Sequence, residues 1–395
     1  MSYGEEPRRS EKLLPASVEP FNAETSLRKL VQSYITPAET FFVRNHAPVP
    51  VLDAATYRLE INGLVDRVLT LSVAELQAHF EANEVSAALQ CAGNRRNEMN
   101  RIRKVKGLGW NSGAVGNATW RGVMLRDVLL AAGLDSSIAA AGAGSGRELH
   151  VEFEGLDGVK EHDFKTGYGS SIPLATVMRS DSGVLLAWAM NGETLTPDHG
   201  FPLRVVVPGH IGARSVKWLK RVTVADTESR NFFQQRDYKL FHAGIDWDVV
   251  DQWWDRASPI QEMNVQCVIC ESAPLPPSAG TGLHRLRGYA LSGGGRAIER
   301  VDVSVNGGET WDCALLQQPG GGFAWCLWSI DVPINPPCEL VARAWDASSN
   351  TQPETMAAIW NLRGVLGNAW YRVPIEAPAQ LTQDLVPTAM TSAKI

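Results

Sequence analysis

The sequence predicts an α+β protein of two domains, a mixed α/β domain followed by an all-β sandwich of the immunoglobulin-like type. The chain has 395 residues, which is long enough for more than one domain of ordinary size. Short strand-like runs alternate with modest helices between about 41 and 246, whereas only strand-like runs follow the turn-rich stretch at 274–282. We therefore expect an extended arm at 1–40, the mixed domain at 41–250 and the sandwich at 251–395.

Local signals predict several elements of the mixed domain. Apolar and polar residues alternate in one run until the turn signal at Gly63, which is typical of a strand. Ser72 is a favourable N-cap for a helix, and Gly133 is a favourable residue just after one. The predicted elements are strands at Tyr57–Ile61 and Leu203–Val207 and helices at Leu71–Phe80 and Val123–Ala132.

The sandwich is predicted from short strand-like runs that are each bounded by Pro, Gly or Asn. Val301–Val305 alternates and then meets the turn signal Asn306-Gly307, and similar runs follow at Trp325–Ile330 and Leu340–Trp345. Cys267 and Cys270 have the CxxC spacing of some metal and redox sites, but they stand in an apolar run without a second pair. We interpret both as residues of a core strand.

Composition excludes several classes of partner. The formal net charge of −6 gives the whole chain no general attraction to nucleic acid or to an anionic membrane. No apolar run approaches the ~18 residues that span a membrane. The spacing of the six cysteines predicts no disulfide framework, which fits a reducing, intracellular compartment. The final Ala393-Lys394-Ile395 is a degenerate match to a peroxisomal address, so we expect a peroxisomal or otherwise cytoplasmic protein.

Cys91 is the most informative single residue. It lies in Gln90-Cys91-Ala92-Gly93-Asn94, and Arg95 and Arg96 follow at once. A thiolate ligates soft transition metals well, and guanidinium groups recognise oxyanions. The segment therefore predicts a metalloenzyme that acts on a small oxyanion. The alternative is a buried structural cysteine near a surface arginine pair, because free cysteine is commonly a small core residue.

Three further clusters carry groups that recognise anions. The first delivers Arg44, Asn45 and His46 after the apolar Phe41-Phe42-Val43, and the third is Arg236-Asp237-Tyr238-Lys239. The second joins Asp198-His199-Gly200-Phe201-Pro202-Leu203-Arg204 to Gly212-Ala213-Arg214-Ser215-Val216-Lys217-Trp218. Its His, Arg and Lys side chains and glycine-adjacent backbone suit a phosphate and a polar heterocycle.

Together these motifs resemble the sulfite oxidase family of molybdenum-cofactor enzymes. The resemblance runs from about Phe41 to the C-terminus. It rests on four ordered motifs, which are Cys-Ala-Gly-Asn-Arg-Arg, Asp-His-Gly-Phe-Pro-Leu-Arg, Gly-Ala-Arg-Ser-Val-Lys-Trp and Trp360-Asn361-Leu362-Arg363-Gly364-Val365.

The resemblance implies a role for each matching position. Cys91 would be the one protein ligand of the molybdenum, and Cys91, Arg44 and Tyr238 would be catalytic. The positions implied to bind the molybdopterin cofactor are Phe41, Phe42, Val43, Arg44, Asn45, Cys91, Asp157, His199, Arg204, Ser215, Val216 and Lys217. The positions implied to bind sulfite are Arg44, Arg96, Trp110, Tyr238 and Arg363. Only Arg96 of the arginine pair matches a substrate position, so we expect Arg95 to orient the loop around Cys91.

The resemblance also implies the reaction and the partners. Sulfite would be oxidised to sulfate by oxygen-atom transfer at one molybdenum cofactor per subunit. The protein would position the sulfite anion and neutralise its charge. No haem segment is recognisable before Phe41 and no flavin segment after it, so the chain resembles the haem-free, plant-type enzymes, which pass electrons to O2 and form H2O2. The resemblance further implies a homodimer through the sandwich.

Several alternatives remain open from the sequence alone. One is a molybdenum domain like that of nitrate reductase, which shares the Cys91 motif, and another is a sulfite dehydrogenase with a separate cytochrome acceptor. A third is a non-enzymatic binding protein with the same fold. Singly, His199 is also compatible with a core histidine, Tyr238 with a surface residue and Arg363 with a simple ion pair to a carboxylate.

Overall fold

The computed structural model describes residues 3–135, 148–159, 167–279 and 282–377 and confirms the predicted fold class. A mixed domain with two five-stranded sheets precedes a sandwich of two four-stranded sheets. The tripeptide 393–395 lies outside the described residues, so the peroxisomal address stays a prediction. None of the described helices is long and apolar enough to cross a membrane.

The strands of the N-terminal part and the mixed domain form a hairpin and two sheets. In chain order they are β1 (Leu13–Ser17), β2 (Asn22–Thr25), β3 (Leu59–Gly63), β4 (Leu69–Leu71), β5 (Ala82–Gln90), β6 (Val115–Met124), β7 (His150–Gly155), β8 (Gly169–Pro173), β9 (Leu185–Met190), β10 (Glu193–Thr194), β11 (Arg204–Val206) and β12 (Leu219–Ala225). One sheet has the order β4-β3-β12-β7-β8, and the other has the order β10-β9-β6-β5 with β11 also paired to β9. The β12–β3 pair is parallel, and the other pairs of these sheets are antiparallel.

The helices are short and lie between the strands. They are α1 (Leu27–Leu30), α2 (Val73–His79), α3 (Arg96–Ile102), α4 (Leu125–Ala131) and α5 (Leu174–Met178). Single 3₁₀ turns occur at Tyr3–Glu5, Ala38–Thr40, Pro197–His199, Gly212–Arg214, Val250–Gln252, Pro277–Ala279 and Met356–Ile359, and a π-helical turn at Phe233–Asp237. The predicted N-cap is confirmed at α2, where Ser72 and Glu75 form a reciprocal capping box.

Two predicted boundaries shift because neighbouring strands compete for the residues. Val123 and Met124 were expected in a helix, but they complete β6, where they pair with Leu186 and Leu185 of β9, so α4 begins at Leu125. The first strand begins at Leu59 instead of Tyr57. It includes Gly63, which has the positive φ of 90° that glycine adopts at little cost.

The sandwich contains β13 (Gln266–Pro274), β14 (Leu283–Leu291), β15 (Ile298–Ser304), β16 (Asp312–Cys313), β17 (Leu315–Gln317), β18 (Cys326–Pro333), β19 (Cys338–Asp346) and β20 (Tyr371–Ile375). Its sheets have the orders β13-β14-β18-β17 and β16-β15-β19-β20. Apolar side chains of both sheets, such as Cys267, Trp328 and Leu340, form one core. The interpretation of Cys267 and Cys270 as strand residues is confirmed, since both lie in β13.

The N-terminal residues differ from the extended arm that the sequence suggests. The β1–β2 hairpin is anchored because Leu13 and Ala23 are buried against Val43, and Ala23 and Val43 exchange backbone hydrogen bonds of 3.0 and 2.9 Å. The sequence signal for this hairpin is weak, because few of its residues are buried and the residues that they contact are distant in the chain. This hairpin supports the segment at 41–46.

Candidate active site

Cys91 lies directly at the C-terminal end of β5. Its backbone N–H donates to the carbonyl of Ala114 at 3.0 Å, which extends the β5–β6 ladder by one position, and its own carbonyl accepts from Asn94 N–H at 2.9 Å, which closes a turn. Helix α3 begins two residues after Asn94. A rigid strand and a short turn therefore fix the thiol, which is only 6% exposed.

Two cavities meet at Cys91. We call them the Lys217 cavity and the Arg363 cavity, and their empty space, including the part open to solvent, is about 720 and about 730 Å³. The Lys217 cavity is lined by Phe41, Phe42, Arg44, Asn45, His46, Leu89, Cys91, Ala92, Asp157, Tyr168, Asp198, His199, Arg204, Gly212, Ala213, Ser215, Val216, Lys217, Trp218 and Tyr238. The Arg363 cavity is lined by Arg44, His46, Cys91, Arg96, Lys106, Gly107, Leu108, Phe232, Phe233, Asp237, Tyr238 and Arg363.

The residues predicted to bind the cofactor all line the Lys217 cavity, with the exception of Val43. Val43 lies on the other side of the segment at 41–46, where it is buried in a small cluster with Leu13 and Ala23. At this position the backbone pairs with Ala23 of the N-terminal hairpin, and the Val43 side chain packs against that hairpin. Val43 thus anchors the segment at 41–46 to the N-terminal hairpin.

Buried positive charge is the main electrostatic feature of the Lys217 cavity. Arg204 donates to the carbonyls of His199 (3.0 Å) and Ser215 (2.9 Å), and burial lowers its pKa to about 9. Lys217 donates to the carbonyl of Asp198 at 2.8 Å and to the side-chain oxygen of Asn45. Burial lowers the pKa of Lys217 to about 7. A bound anion would favour the charged form of both side chains.

Two other groups of this cavity are shifted toward their neutral forms. Burial raises the pKa of Asp157 to about 6, although its carboxylate accepts from the N–H of Tyr168 at 3.0 Å. His199 donates from Nε2 to the carbonyl of Ala38 at 2.9 Å, and its ring lies edge-on to Phe41 at 5.5 Å. Burial lowers the pKa of His199 to about 4. Both groups therefore limit the charge inside the cavity.

The donor set of the cavity fits a metal that is brought by an anionic organic cofactor. Within the described residues, no three His, Cys, Asp or Glu side chains are placed to hold a metal ion by themselves. Cys91 offers a single thiolate at one end of a cavity that is rich in cations. A cofactor that supplies the remaining ligands and several negative charges satisfies both conditions.

The Arg363 cavity collects the residues predicted to bind sulfite, except Trp110. Trp110 is fully buried in an apolar cluster with Phe41, Leu89 and Cys91. Its indole N–H lacks a hydrogen-bond partner among the described residues. The placement differs from the expected lining position, since backbone segment 107–108 lies at the cavity wall instead.

Arg96 is threaded between three glycines. A Cβ at Gly93 would collide with its guanidinium, and Cβ atoms at Gly107 and Gly364 would approach Arg96 to 2.8 and 2.7 Å. Its guanidinium donates to the carbonyls of Leu108 (2.7 Å), Arg363 (3.1 Å) and Gly364 (3.0 Å). The glycines in three separate motifs thus serve one purpose, which is to give this side chain a path to the cavity.

Arg95 points away from both cavities and joins the two domains. It donates to both carboxylate oxygens of Glu98, at 2.8 and 2.7 Å, and to Gln266 Oε1 (2.8 Å) and the carbonyl of Ala369 (2.7 Å) in the sandwich. Its side chain is fully buried. These contacts agree with the expectation that Arg95 orients the loop around Cys91.

Arg363 reaches the cavity from the sandwich side and forms an ion pair with Asp237. The nearby Tyr238 hydroxyl lies 3.3 Å from His46 Nε2. Burial raises the pKa of Tyr238, although the positive Arg44 and Arg96 oppose the shift. A neutral phenol and four arginine or lysine side chains therefore face the same space.

His46, Asp198 and Tyr168 line the Lys217 cavity but were not among the predicted cofactor and substrate positions, although His46 and Asp198 stood in the predicted anion-recognising clusters. Arg44 can only donate, so its 2.7 Å contact makes His46 Nε2 an acceptor and the imidazole neutral; burial, with Arg44 and Lys217 nearby, lowers the pKa of His46. Asp198 is 8% exposed and lines the Lys217 cavity. His46 and Asp198 each stand beside a predicted residue, which was a usable signal. Tyr168 lies outside every motif and had none.

The comparisons with known proteins agree with this geometry. Residues 46–233 match the family model described as oxidoreductase molybdopterin binding domain. Residues 257–378 match the model described as Mo-co oxidoreductase dimerisation domain. The two models divide the chain where the mixed domain gives way to the sandwich.

The chain is similar to named enzymes over most of its length. It is 48% identical over 379 residues to the sulfite oxidase of Gallus gallus, covering 94% of this chain and 79% of that one. It is 42% identical over 383 residues to the sulfite oxidase of Arabidopsis thaliana, covering 94% and 95%. Among solved structures, the sulfane dehydrogenase SoxCD from Paracoccus pantotrophus matches with a TM-score of 0.73 and 27% identity, covering 94% of this chain and 91% of that chain.

Acid is predicted to destabilise the cofactor-free protein through His199. Its pKa is about 4 when folded and about 6.5 in an unfolded chain. Between these values the unfolded chain binds more protons, so the free energy of unfolding falls as pH drops through this window, by about 1.4 kcal/mol per pH unit for one such group. Urea unfolding at a series of pH values measures the slope.

His199→Gln is expected to flatten this slope, whereas His79→Gln, a change at an exposed histidine of α2, should leave it as in the parent protein. Equal slopes for the parent and His199→Gln would contradict the assignment of the acid sensitivity to His199.

Proposed function

Because this chain belongs to the sulfite oxidase family of molybdenum-cofactor enzymes, we propose that the Lys217 cavity holds the molybdopterin, the Arg363 cavity binds sulfite, and O2 accepts the electrons. The reaction is the molybdenum-dependent oxidation of sulfite to sulfate. One observation carries the residue assignment. The buried thiol of Cys91 lines both cavities, so a metal held by it would be within reach of a ligand in either one.

The cofactor, when bound, supplies two-electron oxygen-atom transfer at its metal. The protein contributes the surroundings. Arg204, Lys217 and Asn45 would bind the anionic parts of the cofactor, and Cys91 would provide one metal ligand. Asp157 and His199 would position polar groups of the pterin without adding net positive charge.

Arg44, Arg96 and Arg363 would bind and orient the sulfite anion beside Cys91. Guanidinium groups keep their charge in a partly buried site, where an amine loses it more readily. Because Arg96 is fixed by three carbonyls, it is preorganised, whereas Arg363 must release Asp237 to engage an anion fully. Tyr238 can donate a hydrogen bond to a substrate oxygen and retains its proton at neutral pH, since burial raises its pKa.

O2 as acceptor gives a balanced reaction. Sulfite loses two electrons and gains one oxygen atom from water, and O2 takes the two electrons and two protons to form H2O2. The proposal is supported by the extent of the match to the Arabidopsis thaliana enzyme, which the aligned region covers almost completely. We further propose a homodimer through the sandwich, supported by the description of the model that matches residues 257–378.

A protein acceptor such as a cytochrome is the second candidate. One solved structure with a similar fold, that of SoxCD from Paracoccus pantotrophus, is named a sulfane dehydrogenase. Trp247 is 44% exposed, and the ammonium group of Lys106 lies 5.3 Å from its ring at the wall of the Arg363 cavity. An exposed aromatic beside a basic residue is a common feature of protein docking surfaces.

Anaerobic reduction by sulfite followed by re-oxidation tests the acceptor. We expect air to restore the oxidised enzyme rapidly, with H2O2 and sulfate formed in equal amounts. Rapid re-oxidation by cytochrome c, combined with negligible re-oxidation by air, would replace O2 with the second candidate. If sulfite does not reduce the enzyme although the enzyme is fully loaded with molybdenum, the assignment of sulfite as the substrate is wrong.

Cys91→Ser is expected to abolish sulfite oxidation, because a hydroxyl group is a poor ligand for a soft metal. Turnover and molybdenum content are measured on the same preparations. Cys313→Ser is the matched control, because Cys313 is exposed on the sandwich and lines neither cavity. Near-normal turnover by fully metallated Cys91→Ser would show that Cys91 is not a required ligand of the metal.

Arg363→Met is expected to raise the KM for sulfite by about tenfold or more, since a charged hydrogen bond to an anion is worth about 1.5–3 kcal/mol. Asp237→Asn should lower the KM, because it removes the carboxylate that competes for Arg363. Arg236→Met is the matched control, since Arg236 contacts Asp255 and lines neither cavity. A KM that stays unchanged in Arg363→Met would place Arg363 outside the anion site.

A further inference from the structure

The N-terminal segment at 3–12 contacts the Lys217 cavity through Arg9. Arg9 donates from Nε to Asp198 Oδ2 at 2.8 Å and from Nη2 to Asp198 Oδ1 at 2.9 Å. The two side chains are only 12% and 10% exposed. A forked, partly buried pair of this kind is among the stronger polar contacts in proteins. Asp198 in turn lines the cavity.

Arg9 is itself held in place from its outer side. Its guanidinium forms an ion pair with Glu6 and lies 4.1 Å from the centre of the Phe21 ring. The other oxygen of Glu6 accepts from the N–H of Val49 at 2.8 Å. The conformation of Arg9 is therefore determined by contacts on both sides of the guanidinium.

Asp198 transmits the contact to two residues that would bind the cofactor. Its Oδ1 accepts from Asn45 Nδ2 at 3.2 Å, and its carbonyl accepts from Lys217 Nζ at 2.8 Å. Lys217 also donates to Asn45 Oδ1. Asp198, Asn45 and Lys217 are thus joined to one another by hydrogen bonds, and Arg9 holds this group in place from outside the cavity.

The charge balance gives Arg9 a specific task. Asp198 is a carboxylate beside a site for an anion, where it would repel the ligand and attract the Lys217 ammonium group. By engaging both carboxylate oxygens, Arg9 neutralises Asp198 from outside the cavity. Asp198 then repels an anionic ligand less strongly.

We infer that Arg9 is a positioning residue for the cofactor, and that the segment at 3–12 is a strap that slows the loss of a bound anionic cofactor from the Lys217 cavity. The inference rests on the proposed function, which places the molybdopterin in that cavity. It assigns to Arg9 an effect on cofactor retention that Arg9 exerts through Asp198, without contact to the cofactor.

The test compares Arg9→Gln with Arg8→Gln in the full-length, cofactor-loaded protein. Arg8 is the adjacent arginine, and its side chain is exposed, so the two variants have the same change in charge and chemistry. Release of pterin is followed by its fluorescence at a fixed temperature below unfolding, and molybdenum per chain is measured by elemental analysis. We expect roughly tenfold faster release from Arg9→Gln, as for the loss of one charge-assisted pair, and parental release from Arg8→Gln.

A second measurement separates retention from general stability. The midpoint of thermal unfolding is determined for both variants without cofactor, and we expect the midpoints to be similar. Equal release rates for the two variants would overturn the inference alone. A fall in the midpoint of Arg9→Gln that accounts for its faster release would also overturn it, because the strap would then be a structural element only. A parent protein that binds no molybdenum would overturn the proposed function, and the inference with it.

Discussion

Buried positive charge around Cys91 is the constraint on which the rest of the structure depends. Arg96, Arg204 and Lys217 converge there, and burial lowers the pKa of each. Within the described residues, their hydrogen bonds go mainly to neutral carbonyl groups, such as those of Leu108, His199 and Ser215. Uncompensated buried charge costs free energy. Anionic ligands in the two cavities would compensate this buried charge, so we expect their binding to be coupled to it.

The fold meets this constraint by bringing the ends of separate elements together. Cys91 follows β5, Arg204 begins β11, and Lys217 lies just before β12. Rigid sheets thereby fix the thiol and the cations, while loops of small residues leave room for ligands. Arg96 shows the same principle most clearly, since glycines of three distant segments surround it. A side chain at any one of these positions would collide with Arg96 on its path to the Arg363 cavity.

The sequence predicted the residues of the site where a motif combines side chains with a specific chemistry. It did not predict contacts between segments that are distant in the chain. The motifs around Cys91, Arg204 and Lys217 predicted a shared cavity, and the structure brings these residues together. The pairing of Arg363 with Asp237 and of Arg9 with Asp198 had no local signal, because the latter pair is separated by 189 residues. Val43 does not line the cavity as its neighbours do, because it packs against Leu13 and Ala23 of the N-terminal hairpin.

The sandwich is a structural part of the site, because it supplies Arg363 and holds the turn that carries Cys91. Arg95 and Arg96 leave that turn in opposite directions. Arg96 donates to the carbonyls of Arg363 and Gly364, and Arg95 donates to Gln266 and Ala369. A shift of the sandwich relative to the mixed domain would therefore move both Arg363 and the turn that carries Cys91. An interface formed by the sandwich would therefore be connected to the Arg363 cavity through this arginine pair.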